Sequence, residues 1–209
     1  MAAPATRAVR SDGIRSRDAI LRTAANLASI RGIEALSLGD LAAEVGMSKS
    51  GMYAHFGSKE ELQLATVDAA QALFDEIVLA PAERADEGLE RLQALVDGYL
   101  RYLEADTFPG GCFFASVLAE VDMQPGALRD RLVAFLGAWV GRLEAAVREA
   151  QAQGRLDPAE DPAQLTFEIQ AALLLANARF VVTRSREPLA RARTAVERTL
   201  ATAAPEGRA

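Results

Sequence analysis

Between Ser37 and Leu62 the sequence leaves the backbone few options. Ser37 stands before Leu38-Gly39-Asp40-Leu41-Ala42-Ala43-Glu44-Val45, whose apolar residues recur at helical spacing, and a serine in that place predicts a helix cap. Gly46 permits a tight turn out of that helix, and Ser48-Lys49-Ser50-Gly51 begins a second one. Ser58 and Glu61 then form the pattern of a capping box that opens a third. Two short helices joined by a glycine turn make a helix-turn-helix, an arrangement that the major groove of DNA accepts. The stretch from Ser48 to Leu62 also holds His55, Lys49 and Lys59, the only histidine and the only lysines of a 209-residue chain otherwise rich in arginine.

The overall charge of −6 argues against a polyanion partner until it is divided along the chain. Residues 1–60 carry eight Lys/Arg against six Asp/Glu, a net of +2, whereas residues 61–209 carry fifteen against twenty-three, a net of −8. A basic head on an acidic body orients a protein on a polyanion, and a dimer doubles that small field. Half of the residues are apolar, enough for a substantial core in one unit or two small domains. No run reads as apolar and long enough for a membrane span, and none near the start reads as a signal core, so no membrane partner and a cytoplasmic setting are expected. A single cysteine excludes an intramolecular disulfide, and without a Cys/His cluster no metal site or other cofactor is expected.

Met1 to Gly13 mixes Ala, Pro, Arg and Ser without periodicity and is expected to be a flexible arm; its Arg7 and Arg10 could reach phosphate, or have no role. Ile20, Ala24 and Leu27, with Leu21 and Ala28 beside them, predict a helix over 16–31 that stops at Gly32. The helix opened by Ser58 should run through Leu62, Ala65, Ala69, Leu73 and Ile77 to a stop near Pro81. Leu89, Leu92, Val96, Leu100 and Leu103 mark another, and Leu128, Leu132, Phe135, Trp139, Leu143 and Val147 one that ends at Gly154. Pro109-Gly110-Gly111 breaks the chain before a short apolar segment from Cys112 to Val121. Asp161-Pro162 and Glu187-Pro188 read as helix entrances with proline at the first position, opening helices over 162–183 and 188–202. The fold class is therefore all-α, with about nine helices and no sheet.

The pattern Ser37, Ala42, Gly46, Tyr53, His55-Phe56 and Ser58-Lys59-Glu60-x-Leu62 resembles the TetR family of transcriptional regulators, with the spacing held throughout. It departs from the family at Ser50-Gly51-Met52, where members often carry Gly-Thr before the Leu and Tyr. The resemblance implies a helix-turn-helix DNA-binding domain over 14–60 and a ligand-binding and dimerisation body over 61–209. Ser37 caps its helix, and its hydroxyl with the nearby amides could hold a phosphate. Ser48, Lys49, Ser50 and Gly51 occupy the end of the recognition helix that enters the groove. Lys49 and Ser50 are the candidates for base contacts, and Gly51 allows close approach of backbone to DNA. Tyr53, His55 and Lys59 are directed to phosphate oxygens. Met52, Phe56, Leu41 and Val45 pack the head. Tyr53 fits a packed ring as well as an outward hydroxyl, and the lysines fit plain solvated charges.

By the same resemblance the protein is a homodimer that binds a near-palindromic operator, with half-sites about 10 base pairs, roughly 35 Å, or a multiple of that apart. It is then a repressor released by a small, mostly apolar effector. The last two helices would form the dimer contact through Leu165, Leu173, Phe180, Leu189, Val196 and Leu200, unless that stripe faces its own core. Phe108, Cys112, Phe113, Phe114, Phe135, Trp139, Phe167 and Phe180 could line the ligand cavity, with Glu120, Gln170 and Asn177 as polar groups, although most of the aromatics fit a plain core equally. Three other readings are weighed. Cys112, after Gly110-Gly111 and before a helix start that could lower its thiol pKa, could be an enzyme's nucleophile. No histidine accompanies it in the expected fold, so no enzyme is expected. The same thiol could sense oxidation within a regulator, or the chain could be a helical interaction protein with a vestigial head.

Overall fold

A computed structural model describes residues 5–120 and 125–205, with side chains from Arg17 onward, and every regular element among them is a helix. In chain order these are α1 (Ala5–Arg31), α2 (Leu38–Glu44), α3 (Lys49–His55) and α4 (Lys59–Phe74). A π-helical turn (Asp75–Leu79) and α5 (Ala80–Ala82) continue α4 as one rod. Then come α6 (Leu89–Glu104), α7 (Phe113–Leu118), α8 (Ala127–Ala152), α9 (Pro162–Thr183) and α10 (Glu187–Thr202).

Three serines start the three short helices in the same way. The hydroxyl of Ser37 accepts the Asp40 N–H at 3.0 Å, that of Ser48 the Gly51 N–H at 3.1 Å, and that of Ser58 the Glu61 N–H at 3.0 Å. Each satisfies an N–H that the first turn of a helix leaves without a partner, worth about 1 kcal/mol. The box expected at Ser58 closes one residue early, because the Glu61 carboxylate accepts the Gly57 N–H at 2.9 Å. Gly46 makes the turn between α2 and α3 with φ +69°, a left-handed conformation that glycine adopts without strain.

Several boundaries differ from the sequence reading. The expected arm over 1–13 is already helical from Ala5, where alanine and arginine favour a helix without tertiary support, and residues 1–4 lie outside the described residues. The side chains of Arg7 and Arg10 also lie outside them. The rod after Ser58 loosens into a π turn just before Pro81, a residue that has no N–H to give and whose ring excludes the carbonyl four positions back. Gly98 of α6 packs on that turn, where an added Cβ would stand 3.2 Å from the Val78 Cα. Of the segment 112–121 only Phe113–Leu118 is helical, and Val121 lies outside the described residues. α10 begins at Glu187, which puts Pro188 second rather than first.

Phe74, at the end of α4, is the hub of the body. It meets Tyr99 and Tyr102 of α6, Phe114 of α7, and Phe135 and Trp139 of α8 edge-on, with ring centroids 5.2–6.4 Å apart. α9 packs along α10 and touches α8 and α6. By length and composition α9 is apolar enough to cross a membrane, contrary to the sequence reading. Its outer face nevertheless carries Glu168 and Arg179, and its inner face is core. The stripe expected to meet a partner is that inner face: Leu165, Leu173 and Phe180 of α9 and Leu189, Val196 and Leu200 of α10 are all buried within the chain. Phe167, expected in a cavity, is instead 66% exposed on the outer face, together with Leu174, Leu175 and Val182.

Candidate nucleic-acid interface and ligand cavity

α3 is held from behind. Met52 and Phe56 are fully buried among Ile33, Leu41 and Leu62, which contributes about 1.5–3 kcal/mol for each of the two. Arg17 of α1 lies over the Phe56 ring at 4.3 Å and donates to the His55 carbonyl at 2.5 Å, a cation placed at the negative end of α3. The opposite face of α3 turns outward, with Ser48, Lys49, Ser50 and Tyr53 exposed and His55 half-buried. The Tyr53 ring, 56% exposed, does not pack into the head.

Two of the expected contacts, Ser37 and Lys59, are modified by intramolecular partners. The Ser37 hydroxyl gives its proton to the Asp40 carboxylate at 2.7 Å, so a negative charge already stands where a phosphate was expected. Gly51 is half-buried, and an added Cβ would stand 3.2 Å from the hydroxyl of the exposed Ser48 and 3.4 Å from the Met47 methyl. Lys59 donates to the Glu34 carbonyl at 2.6 Å and pairs with its carboxylate at 3.3 Å. Both side chains of that pair are about half exposed, which limits it to roughly 1 kcal/mol or less.

A cavity of about 90 Å³ lies between α4, α6, α7, α8 and α9. Five of the expected ligand residues line it: Cys112, Phe114, Phe135, Trp139 and Gln170. Six do not, Phe167 and Phe180 among them. Phe108 and Phe113 are fully buried against each other, with Phe108 under Arg22, and belong to the core beneath α1. Glu120 is exposed, its carboxylate set against the bare Cα of Gly32. Asn177 is buried as expected, but its Oδ1 accepts the Cys112 N–H at 2.8 Å, so its amide partner is backbone rather than ligand. Sequence reasoning missed Phe74 and Tyr99, which are wall residues; each sits on an ordinary apolar helix stripe, and no local signal separates wall from core.

The Cys112 thiol is fully buried, and burial pushes its pKa up, outweighing backbone N–H groups of α7 that act in the opposite sense. The helix start therefore does not produce the lowered thiol that a nucleophile or a sensor needs. Burial, joined by the neighbouring thiol, holds the Tyr99 hydroxyl well above the ordinary tyrosine range.

The cavity is tied to the head by two routes. α4 carries Phe74 in the cavity wall, while its buried Gln63 donates to the Ile33 carbonyl, between α1 and α2, at 3.0 Å. The loop before Cys112 forms the second. The Gly110 N–H donates to the Ser29 hydroxyl of α1 at 3.1 Å, and Arg184 after α9 donates to the Pro109 carbonyl at 2.5 Å.

Two family models match the sequence. "Bacterial regulatory proteins, tetR family" covers residues 20–66, and "Tetracyclin repressor-like, C-terminal domain" covers residues 88–196. An HTH-type transcriptional regulator of Mycobacterium tuberculosis is 33% identical over 105 residues, 50% of this chain and 52% of the relative. The match thus spans about half the length of that curated relative. A TetR transcriptional regulator from Chloroflexus aurantiacus superposes with a TM-score of 0.82 at 26% identity, covering 91% of this chain and 96% of the other. AibR, solved in complex with isovaleryl coenzyme A and operator DNA, superposes with a TM-score of 0.69 at 26% identity, covering 89% of this chain and 96% of its own.

Proposed function

Since this chain belongs to the TetR family of transcriptional regulators, we propose that it acts in the cytoplasm as a repressor: a homodimer that binds a near-palindromic operator and lets go when a small ligand enters the cavity. Residues 14–60 would be the reading head and 61–209 the ligand-binding and dimerisation body. The observation that carries the proposal is the two-sidedness of α3, with Met52 and Phe56 locked in the head and Ser48, Lys49, Ser50 and Tyr53 turned to solvent beside a capped N-terminus. Lys49 and Ser50 read bases, while Tyr53 and His55 face phosphate. Lys59 turns from Glu34 to phosphate on binding, since the weak pair it leaves is easily replaced.

The outer face of α9 supports a dimer contact there. Phe167, Leu174, Leu175 and Val182 are exposed there, and beside them a groove of about 160 Å³ between α9 and α10 is floored by Ala172, Ala176, Ala192 and Ala195. Bulky apolar side chains next to a shallow groove are self-complementary across a two-fold axis. AibR, solved with both a ligand and operator DNA, is a precedent for the two-site arrangement. A ligand that prefers the body conformation with misplaced recognition helices weakens operator binding by its differential affinity for the two states, and α4 is the lever.

Footprinting on the DNA that flanks the protein's own gene, at two salt concentrations, tests this reading. A protected near-palindrome, weakened by salt and lost in the Lys49→Ala, Tyr53→Ala double variant, is the expected result. Protection that persists in that variant would remove α3 from the reading surface.

A further inference from the structure

Among the described residues, the cavity wall contains no charged side chain. Its lining is aromatic and aliphatic, with Gln170, Tyr99 and Cys112 as the polar members. An ionised ligand would lose its hydration there without gaining an opposite charge, a loss that polar contacts of this kind do not offset. The volume, about 90 Å³, is far below the roughly 300–1,000 Å³ of drug-sized sites and below even the apolar cavity of about 150 Å³ that takes up one benzene ring, so one ring is the most it encloses and a substituent extends to the mouth, where Leu136 and Leu174 are exposed. The walls suit such a ring, because Phe74 meets Trp139 edge-on at 5.3 Å and Tyr99 lies stacked with Trp139 at 6.1 Å.

Two polar groups in this wall lack partners. The Tyr99 hydroxyl is buried and finds no oxygen or nitrogen partner among the described residues; the Cys112 thiol beside it is a weak partner that leaves the hydroxyl's capacity unmet. A buried hydroxyl without a partner carries a standing desolvation penalty that an incoming acceptor removes. Its raised pKa keeps it protonated, hence a donor, at any physiological pH. Gln170 is half-buried on α9, lines the same cavity, and makes no side-chain hydrogen bond among the described residues. Its amide N–H is a second donor.

We propose that the effector is an uncharged, single-ring compound bearing one acceptor oxygen, with Tyr99 and Gln170 as the residues that select for that oxygen. The proposal rests on the ligand-released reading above and narrows it. An acyl thioester of coenzyme A, whose phosphates need cations, falls outside this class.

Three probes of nearly the same shape test it: acetophenone, α-methylstyrene, which replaces the carbonyl oxygen with a methylene, and benzoate. Trp139 is the only tryptophan of the chain and lies in the wall, so its fluorescence reports occupancy directly. The expected result is that acetophenone binds the wild-type protein about tenfold more tightly than α-methylstyrene, the ratio that one net hydrogen bond supports. Benzoate should leave the fluorescence unchanged. In the Tyr99→Phe, Gln170→Leu double variant the preference should vanish while α-methylstyrene still binds, which shows that the cavity has survived the substitutions. Equal binding of acetophenone and α-methylstyrene by the wild type, a preference that survives in the double variant, binding of benzoate, or no response to any probe would each overturn the proposal. Operator release is measured separately by adding acetophenone to the footprinting reaction. Selective binding without release sinks the release mechanism and leaves the ligand class standing; a footprint with no probe bound does the reverse.

Discussion

Tyr99, Tyr102 and Cys112 share a property that sets the pH range of the fold: each is an acid buried where its ionised form loses hydration. Burial is the main cause in all three, and the thiol adds to the shift of both hydroxyls. A folded pKa raised above the unfolded value means that the unfolded chain releases its proton first as pH rises. The contribution to stability is therefore complete below the unfolded cysteine value of about 8.5 and is lost progressively above it, by about 1.4 kcal/mol per pH unit for each group in its titrating window. Urea midpoints measured in reducing buffer should hold level from pH 7 to 8 and fall steeply by pH 10. A level midpoint up to pH 10 would mean that these groups ionise in place. The same burial makes Cys112 slow toward a thiol reagent at pH 8 in the native protein and fast in urea, which is a poor property for a peroxide sensor.

Among the elements, α9 is the one whose two faces make opposite demands. Its inner face joins α10 and closes the cavity, and its outer face leaves Phe167, Leu174, Leu175 and Val182 in solvent, an apolar area that a stable monomer seldom displays. Leu175→Glu places a charge at that face and, across a two-fold axis, brings it near its own copy. Because Leu175 is 61% exposed, the helix content should not change. The dimer should weaken by about 2 kcal/mol or more, roughly 30-fold in dissociation constant, as read by sedimentation. An unchanged association would move the dimer contact elsewhere. The helix itself was legible in the sequence, because Asp161-Pro162 and the apolar repeat are local signals, and the serine caps at 37 and 58 were legible for the same reason. Which face of α9 turns inward was not, since that depends on where α8 and α6 lie. The stripe chosen from the sequence was the more regular one, and regularity marks the chain's own core. That Ser48, Lys49, Ser50 and Tyr53 lie on the exposed side of α3 could be read from the motif, but the partners Asp40 and Glu34 could not, because Glu34 reaches Lys59 across 25 residues and the Ser37 proton could have gone elsewhere. Asn177 was legible as buried, yet its partner, the Cys112 N–H, is 65 residues away in sequence.

At the scale of the molecule, the proposed release of DNA by a ligand would require that a change in the cavity wall move the heads, and the loop over 106–112 stands between them. On one side Gly111 and Cys112 sit on α9: the Cys112 N–H goes to Asn177, and an added Cβ on Gly111 would clash with that same amide. On the other side Gly110 lies so close to α1 that an added Cβ would overlap the Ser29 carbonyl, while Arg22 of α1 donates to the Thr107 carbonyl at 3.4 Å. Packed contacts of this kind transmit displacement because they have no slack to absorb it. Gly110→Ala tests the closeness of the fit. The residue is not in the left-handed region, so the added methyl acts through sterics alone, and backbone atoms of a helix cannot rotate away as a side chain would. Forcing loop and α1 apart should destabilise the protein by about 2 kcal/mol, within the range for overpacking a close contact. In protein that remains folded, the same separation should lower operator affinity and reduce the response of that affinity to a ligand in the cavity. Parallel urea titrations and operator titrations of the variant distinguish the cases. A loss of stability with operator affinity intact would make the loop a packing element only and leave α4, through Gln63 and Ile33, as the path between cavity and head.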